Sequence, residues 1–375
     1  MVFSSSIFLF YFLPVFLTVY FLTPSRFKNL IILLASIFFF AWGAPKFVFV
    51  LSTAVIVDFF IAKLIHKNED KKRKLFLTAG IVFNLSVLLY FKYCNFFLDN
   101  FNDVLEVFGL HPLSFTRVAL PIGISFFVFH ELSYIIDVYR KVKPPMKNIV
   151  NYALYIFLFP QLIAGPIIRF NEIADQINDR KFQDNIENRL VGLFRFAIGL
   201  AKKVLIANVL GAQADQIFNL PYEELNTSSA WIGALCYTFQ IYFDFSGYSD
   251  MAIGLARTMG FRFPENFNNP YISQSITEFW RRWHMSLSRW MRDYLYIPLG
   301  GNKVSVPRMY FNLCFVFLIS GLWHGAQWTF IIWGAYHGLF LVLDRLFLLK
   351  LTEKIGKIPR IIFAFFVVVI GWVFF

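Results

Sequence analysis

Long apolar runs recur along almost the whole sequence, and their length dictates the solvent in which the chain can fold. They cover about 3–23, 29–43, 46–65, 75–94, 118–138, 190–210, 229–250, 309–325, 328–349 and 361–375, with bounds good to about ±4 residues. A helix of roughly 20 apolar residues spans the hydrocarbon core of a bilayer. A soluble globule would have to bury every one of these runs, which leaves it no surface. The chain is 58% hydrophobic and only 15% charged, against about 25% charged for soluble domains. The expected class is therefore an all-α polytopic membrane protein in one integral membrane domain, 1–375, embedded in the lipid bilayer.

The +12 net charge points to cytoplasmic loops of a membrane protein, where Lys and Arg gather, and not to nucleic acid as a partner. Cys94, Cys236 and Cys314 lie in or beside apolar segments without metal-ligand spacing, so neither a disulfide framework nor a metal site is expected. The start, "MVFSSSIFLFYFLPVFLTVYFL", lacks a basic n-region and a small-residue cleavage pattern. It reads as a retained first span. The last run is short for a span and ends at Phe375 without a polar flank, which suits a truncated chain or a marginal last helix.

Loop charge gives an orientation. "HKNEDKKRK" (66–74) and "RKVKPPMKN" (140–148) are basic, whereas 95–116 and 211–229 carry acidic residues. With the basic loops in the cytoplasm, the N-terminus lies outside and the early loops alternate as required. Two segments depart from this pattern. "NYALYIFLFPQLIAGPIIRF" (151–170) is interrupted by Pro160 and Gly165-Pro166, and for its flanks to stay cytoplasmic it must enter and return. Residues 269–303 carry Arg281, Arg282, Arg289 and Arg292. Each Arg at the bilayer centre costs roughly 2.5–3.5 kcal/mol on the insertion scale, so this segment is not a lipid-facing span. Irregular or charged backbone at membrane depth needs protein or water around it. Both segments are expected to be re-entrant or interfacial.

Of the six histidines, His66 and His111 are in loops, and His130 and His337 read as core histidines with hydrogen-bond partners. His324, in "FLISGLWHGAQWTFIIWG", differs. On a continuous helix it shares a face with Ser320 and Trp328, and Gly321 and Gly325 remove bulk around it. An intramembrane ionisable group is a functional hypothesis by default. A helical reading of the basic segment puts Arg281, His284, Ser288 and Arg292 on one face, with Glu278–Arg282 and Arg289–Asp293 as i,i+4 pairs and Trp280, Trp283 and Trp290 as interfacial anchors. That face is either an amphipathic surface on anionic headgroups or an electropositive wall for a phosphate-bearing donor. Asp244 and Asp250 fall within an apolar run and need partners, for which nearby Arg residues are candidates. No P-loop, GxGxxG, GxSxG or metal-ligand cluster occurs.

The stretch "FDFSGYSDMAIGLARTMGFRFPENFNNPYISQSITEFWRRWHMSLSRWMRDYLYIPLGGN" resembles the signature region of the membrane-bound O-acyltransferase family, and most of all its alginate O-acetyltransferase-like subgroup. "LPIGISFFVFHELSYIIDVYR", "FPQLIAGPIIRF" and "LISGLWHGAQWTFIIWGAYHG" are similar to further blocks of that family in the same order. The resemblance covers the chain from about Leu120 onward. It implies a funnel-like ring of about ten transmembrane helices with two re-entrant segments, in the bacterial inner membrane. Within that fold a cytoplasmic acyl thioester, acetyl-CoA or another, meets an extracytoplasmic polysaccharide or acyl-acceptor protein. No bound cofactor or metal is implied. His324 maps to the family's essential histidine and acts as general base, and His284 maps to a second functional position. Arg281, Arg282, Ser288, Arg289, Arg292 and Trp283 are then donor-binding residues, and Asp244, Ser246, Gly247, Trp323 and Gly325 shape the tunnel. On this reading Gly321 and Gly325 leave room for the donor's acyl group. D-alanyl transfer for teichoic acid modification is the nearest alternative, and a transporter or an inactive scaffold is the alternative outside enzymes.

Overall fold

A computed structural model describes residues 1–181, 183–221 and 223–375. Its regular elements are all helical, with no strand among the described residues. Two compact units are present. One comprises Met1–Asn185 with Gly260–Arg262, the other Ile186–Met259 with Phe263–Phe375.

The first unit contains α1 (Leu13–Leu22), α2 (Lys28–Gly43), α3 (Phe47–Lys67), α4 (Asp70–Leu88), α5 (Cys94–Val107), α6 (Ile124–Tyr139), α7 (Ile149–Phe157), α8 (Phe159–Leu162) and α9 (Phe170–Asn178). The second contains α10 (Ile186–Ala201), α11 (Asn208–Phe218), α12 (Thr227–Thr258), α13 (Ile276–Arg282), α14 (Met285–Met291), α15 (Val306–His324), α16 (Trp328–Leu343), α17 (Leu349–Glu353) and α18 (Lys357–Val373). Every apolar run of the sequence falls on one or more of these helices. Among the described residues, five helical stretches are long and apolar enough to cross a membrane: Ser25–Gly43, Phe47–Lys67, Asp70–Val107, Val306–His324 and Trp328–Glu353.

The basic stretch 66–74 is less of a loop than its composition implies. α3 runs to Lys67 and α4 starts at Asp70, so only Asn68 and Glu69 connect them. Arg73 reaches from α4 to the carbonyls of Val138 and Tyr139 at the end of α6, where a cation satisfies terminal acceptors and meets the negative end of the helix dipole.

The proline-interrupted segment is broken where its sequence indicates. α7 stops at Phe157, Leu158 adopts φ −49°, ψ 105°, and Pro160 sits in the first turn of α8, the position proline tolerates. The break leaves α7 carbonyls without helical partners, and the Gln161 amide donates to Tyr155 O at 2.5 Å. Ser36 Oγ accepts from Phe159 N–H at 3.1 Å. Further along, Tyr155 OH donates to Ile168 O at 2.9 Å. This irregular backbone is therefore buried and largely hydrogen-bonded, as membrane depth demands.

In the second unit, α10 and α12 cross at two glycine pairs. A Cβ on Gly199 would lie 2.5 Å from Gly247 O, and one on Gly247 would lie 2.8 Å from Gly199 O. Gly192 and Gly254 repeat the arrangement seven residues away, at 2.6 Å and 2.5 Å. Small residues that let two backbones touch are the usual means of packing helices in lipid. Gly247 is thus a helix-packing residue.

Candidate active site

The second unit brings His284 and His324 together, with ring centroids 6.5 Å apart. Each histidine stands at an interruption of a helix. α15 ends at His324 because Gly325 turns extended (φ −155°, ψ 148°) and α16 begins only at Trp328. Trp328 therefore belongs to a different helix, and the expected Ser320–His324–Trp328 face does not form. The neighbours of the half-buried His324 ring are Trp323 at 4.8 Å, Phe375 at 5.0 Å and Trp333 at 5.2 Å between centroids.

The glycines around it serve packing. A Cβ on Gly321 would strike Phe330 O, one on Gly334 would strike Phe317 O, and one on Gly325 would strike the Phe330 ring. α15 and α16 lie too close for side chains at these positions. The room that the sequence assigns to the donor's acyl group beside Gly321 and Gly325 is taken by Phe330.

The basic segment also differs from a single helix. α13 ends at Arg282, Trp283 is extended, and His284 is left-handed at φ 43°, ψ 52° before α14 starts at Met285. This conformation costs a non-glycine residue roughly 1–2 kcal/mol. Backbone bonds from the preceding loop hold the break: Asn268 N donates to Arg282 O and Met285 N to Asn266 O, both at 2.9 Å. The shared face of Arg281, His284, Ser288 and Arg292 is lost, because the break turns the second half away from the first.

The His284 ring is buried, 1% exposed, and packs edge-on to Phe245 at 4.7 Å. Its Nδ1 lies 3.0 Å from Asn266 Oδ1, while Nε2 has no hydrogen-bond partner among the described residues. Burial first, and the nearby His324 second, hold its imidazole well below the ordinary histidine pKa. It is therefore neutral at pH 7.

The expected donor-binding residues separate. Arg281 and Arg292 are exposed. Arg282 pairs with Glu278 at 2.9 Å, as its spacing indicates. Arg289 donates to Met285 O and Glu265 O, at 3.3 and 3.2 Å, and it is Arg292 that pairs with Asp293, at 2.7 Å. Ser288 Oγ donates to Trp280 O at 3.0 Å and so ties α14 to α13. Trp283 is a core residue. It is 3% exposed and packs against Trp372, Phe267 and Phe279 at 4.8, 5.0 and 5.6 Å. Trp280 and Trp290 are buried too, at 7% and 6%, so all three are core residues where interfacial anchors were expected. Burying an indole in a dense aromatic cluster is worth more than leaving it at a surface.

Asp244 and Asp250 have their cations, though not from the basic segment. Lys203 pairs with Asp244 at 2.6 Å. Arg195 and Lys202 hold Asp250 at 2.9 and 2.6 Å, and Arg195 also holds Glu265 at 2.6 Å. Asp250, Arg195, Lys202 and Glu265 line a polar cavity of about 170 Å³ together with Ser246, Ser249 and Asn266. Ser246 Oγ is buried there without a partner among the described residues. Sequence reasoning missed Asn266, Ser249, Arg195 and Lys202. Arg195 and Lys202 are seven apart on one helical stretch facing Asp250, a spacing that shows a shared face but not its counterpart. Asn266 lies in a loop, where periodicity carries no information.

The other buried histidines divide. His130 Nε2 accepts from Ile168 N at 3.4 Å, a long version of the expected core contact. Neither nitrogen of His337 has a partner among the described residues. Its ring instead sits 5.1 Å from both Trp280 and Trp333.

Residues 34–375 match the model of MBOAT, the membrane-bound O-acyltransferase family. The chain belongs to that family. A protein of Azotobacter vinelandii named "Probable alginate O-acetylase" is 50% identical over 379 residues, covering 100% of this chain and 75% of its own length. The peptidoglycan O-acetyltransferase of Helicobacter pylori is 39% identical, covering 100% of this chain and 77% of its own length. The teichoic acid D-alanyltransferase of Streptococcus thermophilus is 32% identical, covering 61% of this chain and 58% of its own length. This membrane-bound O-acyltransferase is thus a multi-pass membrane enzyme that transfers an acyl group to oxygen. Among the described residues no group of three or more His, Cys, Asp or Glu could hold a metal.

Proposed function

We propose that this enzyme moves an acetyl group from a cytoplasmic acyl thioester, such as acetyl-CoA, to a hydroxyl of an extracytoplasmic polysaccharide or its carrier. The observation that carries the reading is the His284–His324 pair, 6.5 Å apart, in a chain 50% identical to a protein named for alginate O-acetylation. Neutral His324 takes the proton of the acceptor hydroxyl as its oxygen attacks the thioester carbonyl. The new C–O bond forms, the C–S bond breaks, and the departing thiolate takes the proton from the His324 imidazolium. General-base help of this kind contributes about 10²–10⁴-fold. Exposed Arg281 and Arg292 supply positive charge on the donor's approach. The reading places the enzyme in the bacterial inner membrane with about ten spans. The segments 151–170 and 269–303 are then its two re-entrant elements.

The test is transfer by the enzyme in lipid nanodiscs, with acetyl-CoA as donor and an alginate oligosaccharide as acceptor. Formation of the O-acetyl ester is expected by mass spectrometry. No ester from acetyl-CoA, alongside transfer from a D-alanyl thioester, would favour the D-alanyl alternative.

A further inference from the structure

We propose that Asn266 is a positioning residue, whose side-chain carbonyl locks His284 in the Nδ1–H tautomer and so presents Nε2 as a lone pair to the reaction. The proposal rests on the reading that His284 and His324 form the reaction centre.

The hydrogen-bond network assigns every proton. Ser286 N lies 3.2 Å from Asn266 Oδ1, and a backbone N–H can only donate. The atom facing it is therefore the amide oxygen, not the amide nitrogen. Ser286 Oγ donates to the same oxygen at 2.8 Å. The other end of the amide, Nδ2, donates to Ser249 Oγ at 3.0 Å. His284 Nδ1 is 3.0 Å from that same Oδ1, so it must carry a hydrogen. A neutral imidazole has one N–H, and Nε2 is left with its lone pair.

Two features of His284 fit a functional role. Nε2 is a buried acceptor with no partner among the described residues, an arrangement that folded proteins usually avoid. The backbone is left-handed at φ 43° in a non-glycine residue, and strain of this kind gathers where function needs it. When His324 takes up a proton, the neutral His284 ring, 6.5 Å away between centroids, sets no second positive charge beside the imidazolium. Asn266 also lines the polar cavity beside Asp250, so one side chain touches both the cavity and the histidine.

Removing the side chain should leave the fold intact. The loop is joined to the helix break through backbone atoms, Met285 N to Asn266 O and Asn268 N to Arg282 O, which the substitution does not alter. The experiment uses the full chain in lipid bilayers, labelled with ¹⁵N-histidine, with His284 assigned by difference against His284→Asn. Solid-state NMR is expected to show His284 with a protonated Nδ1 and a bare Nε2. In Asn266→Ala the bare Nε2 signal should diminish in favour of the other tautomer. In Asn266→Asp it should return, because a carboxylate also accepts from Nδ1–H. Turnover with acetyl-CoA should fall about 10–100-fold in Asn266→Ala, the scale at which residues behind a functional histidine act, with KM within about twofold. Asn266→Asp should recover part of this loss, and the acid limb of its pH profile should move up, since the carboxylate raises the His284 pKa. A protonated Nε2 in the wild type, an unchanged tautomer in Asn266→Ala, or unchanged kcat in that variant would overturn the proposal. Wild-type turnover in His324→Ala, with the tautomers behaving as described, would instead sink the reaction-centre reading.

Discussion

Replacing His324 with alanine tests the chemistry most directly. Two magnitudes separate a base from a structural ring. General-base catalysis is worth about 10²–10⁴-fold, or ~3–5 kcal/mol of barrier, and no other histidine except His284 shares the site at 6.5 Å. The stability term is smaller. The ring is half-buried and touches Trp323, Trp333 and Phe375, and loss of such contacts costs on the order of 1–2 kcal/mol. The neighbouring glycine positions do not offer slack, because Phe330 fills the space beside Gly325. The assay is acyl transfer per folded molecule, with thermal unfolding measured in the same detergent. We expect turnover to collapse while the unfolding temperature falls only modestly. His324→Gln keeps a polar side chain but has no base near neutral pH, and it should be equally inactive. If either variant keeps more than about a tenth of wild-type turnover, a loss below ~1.4 kcal/mol, His324 is not the base and His284 becomes the first candidate.

Four further outcomes are expected. Arg281→Glu should raise KM for acetyl-CoA, with the increase shrinking at high salt as exposed charges are screened; unchanged KM would favour a headgroup-binding role for that side chain. Gly247→Val should lower stability by roughly 1–3 kcal/mol, read by thermal unfolding, since its Cβ would lie 2.8 Å from Gly199 O. The folded-state pKa of His284 is depressed, so below about pH 6.5 the unfolded chain binds a proton that the folded chain does not, and stability must fall as pH falls. Measured from pH 7 to pH 5, that loss should be smaller in His284→Asn. A cysteine placed at Asp70 should escape a membrane-impermeant thiol reagent in intact cells and react after lysis, because the basic α3–α4 junction is expected in the cytoplasm; labelling in intact cells would reverse the orientation.

The sequence alone settled the helical membrane class, because about 20 apolar residues have no stable conformation in lipid other than one that satisfies its own backbone. It also placed the break at Pro160, since proline cannot continue a helix past its first turn, and it marked His284 and His324 by their motifs. Pairings between distant segments were not legible in it. Periodicity shows which residues share a face of one helix, but nothing about what that face meets. The cations on Asp244 and Asp250 come from Lys203, Arg195 and Lys202 and not from the nearby arginines, a choice made by the glycine crossing of α10 and α12. Continuous-helix spacing also failed at both histidines, because each sits at a break that local propensity does not announce. Tertiary contacts made those breaks: Asn266 and Asn268 hold the backbone around His284, and the close approach of α15 and α16 at Gly321 and Gly334 sets His324 against Trp333. The aromatic core around Trp283 followed the same logic, since an indole goes where the most apolar surface surrounds it, and only the folded chain defines where that is.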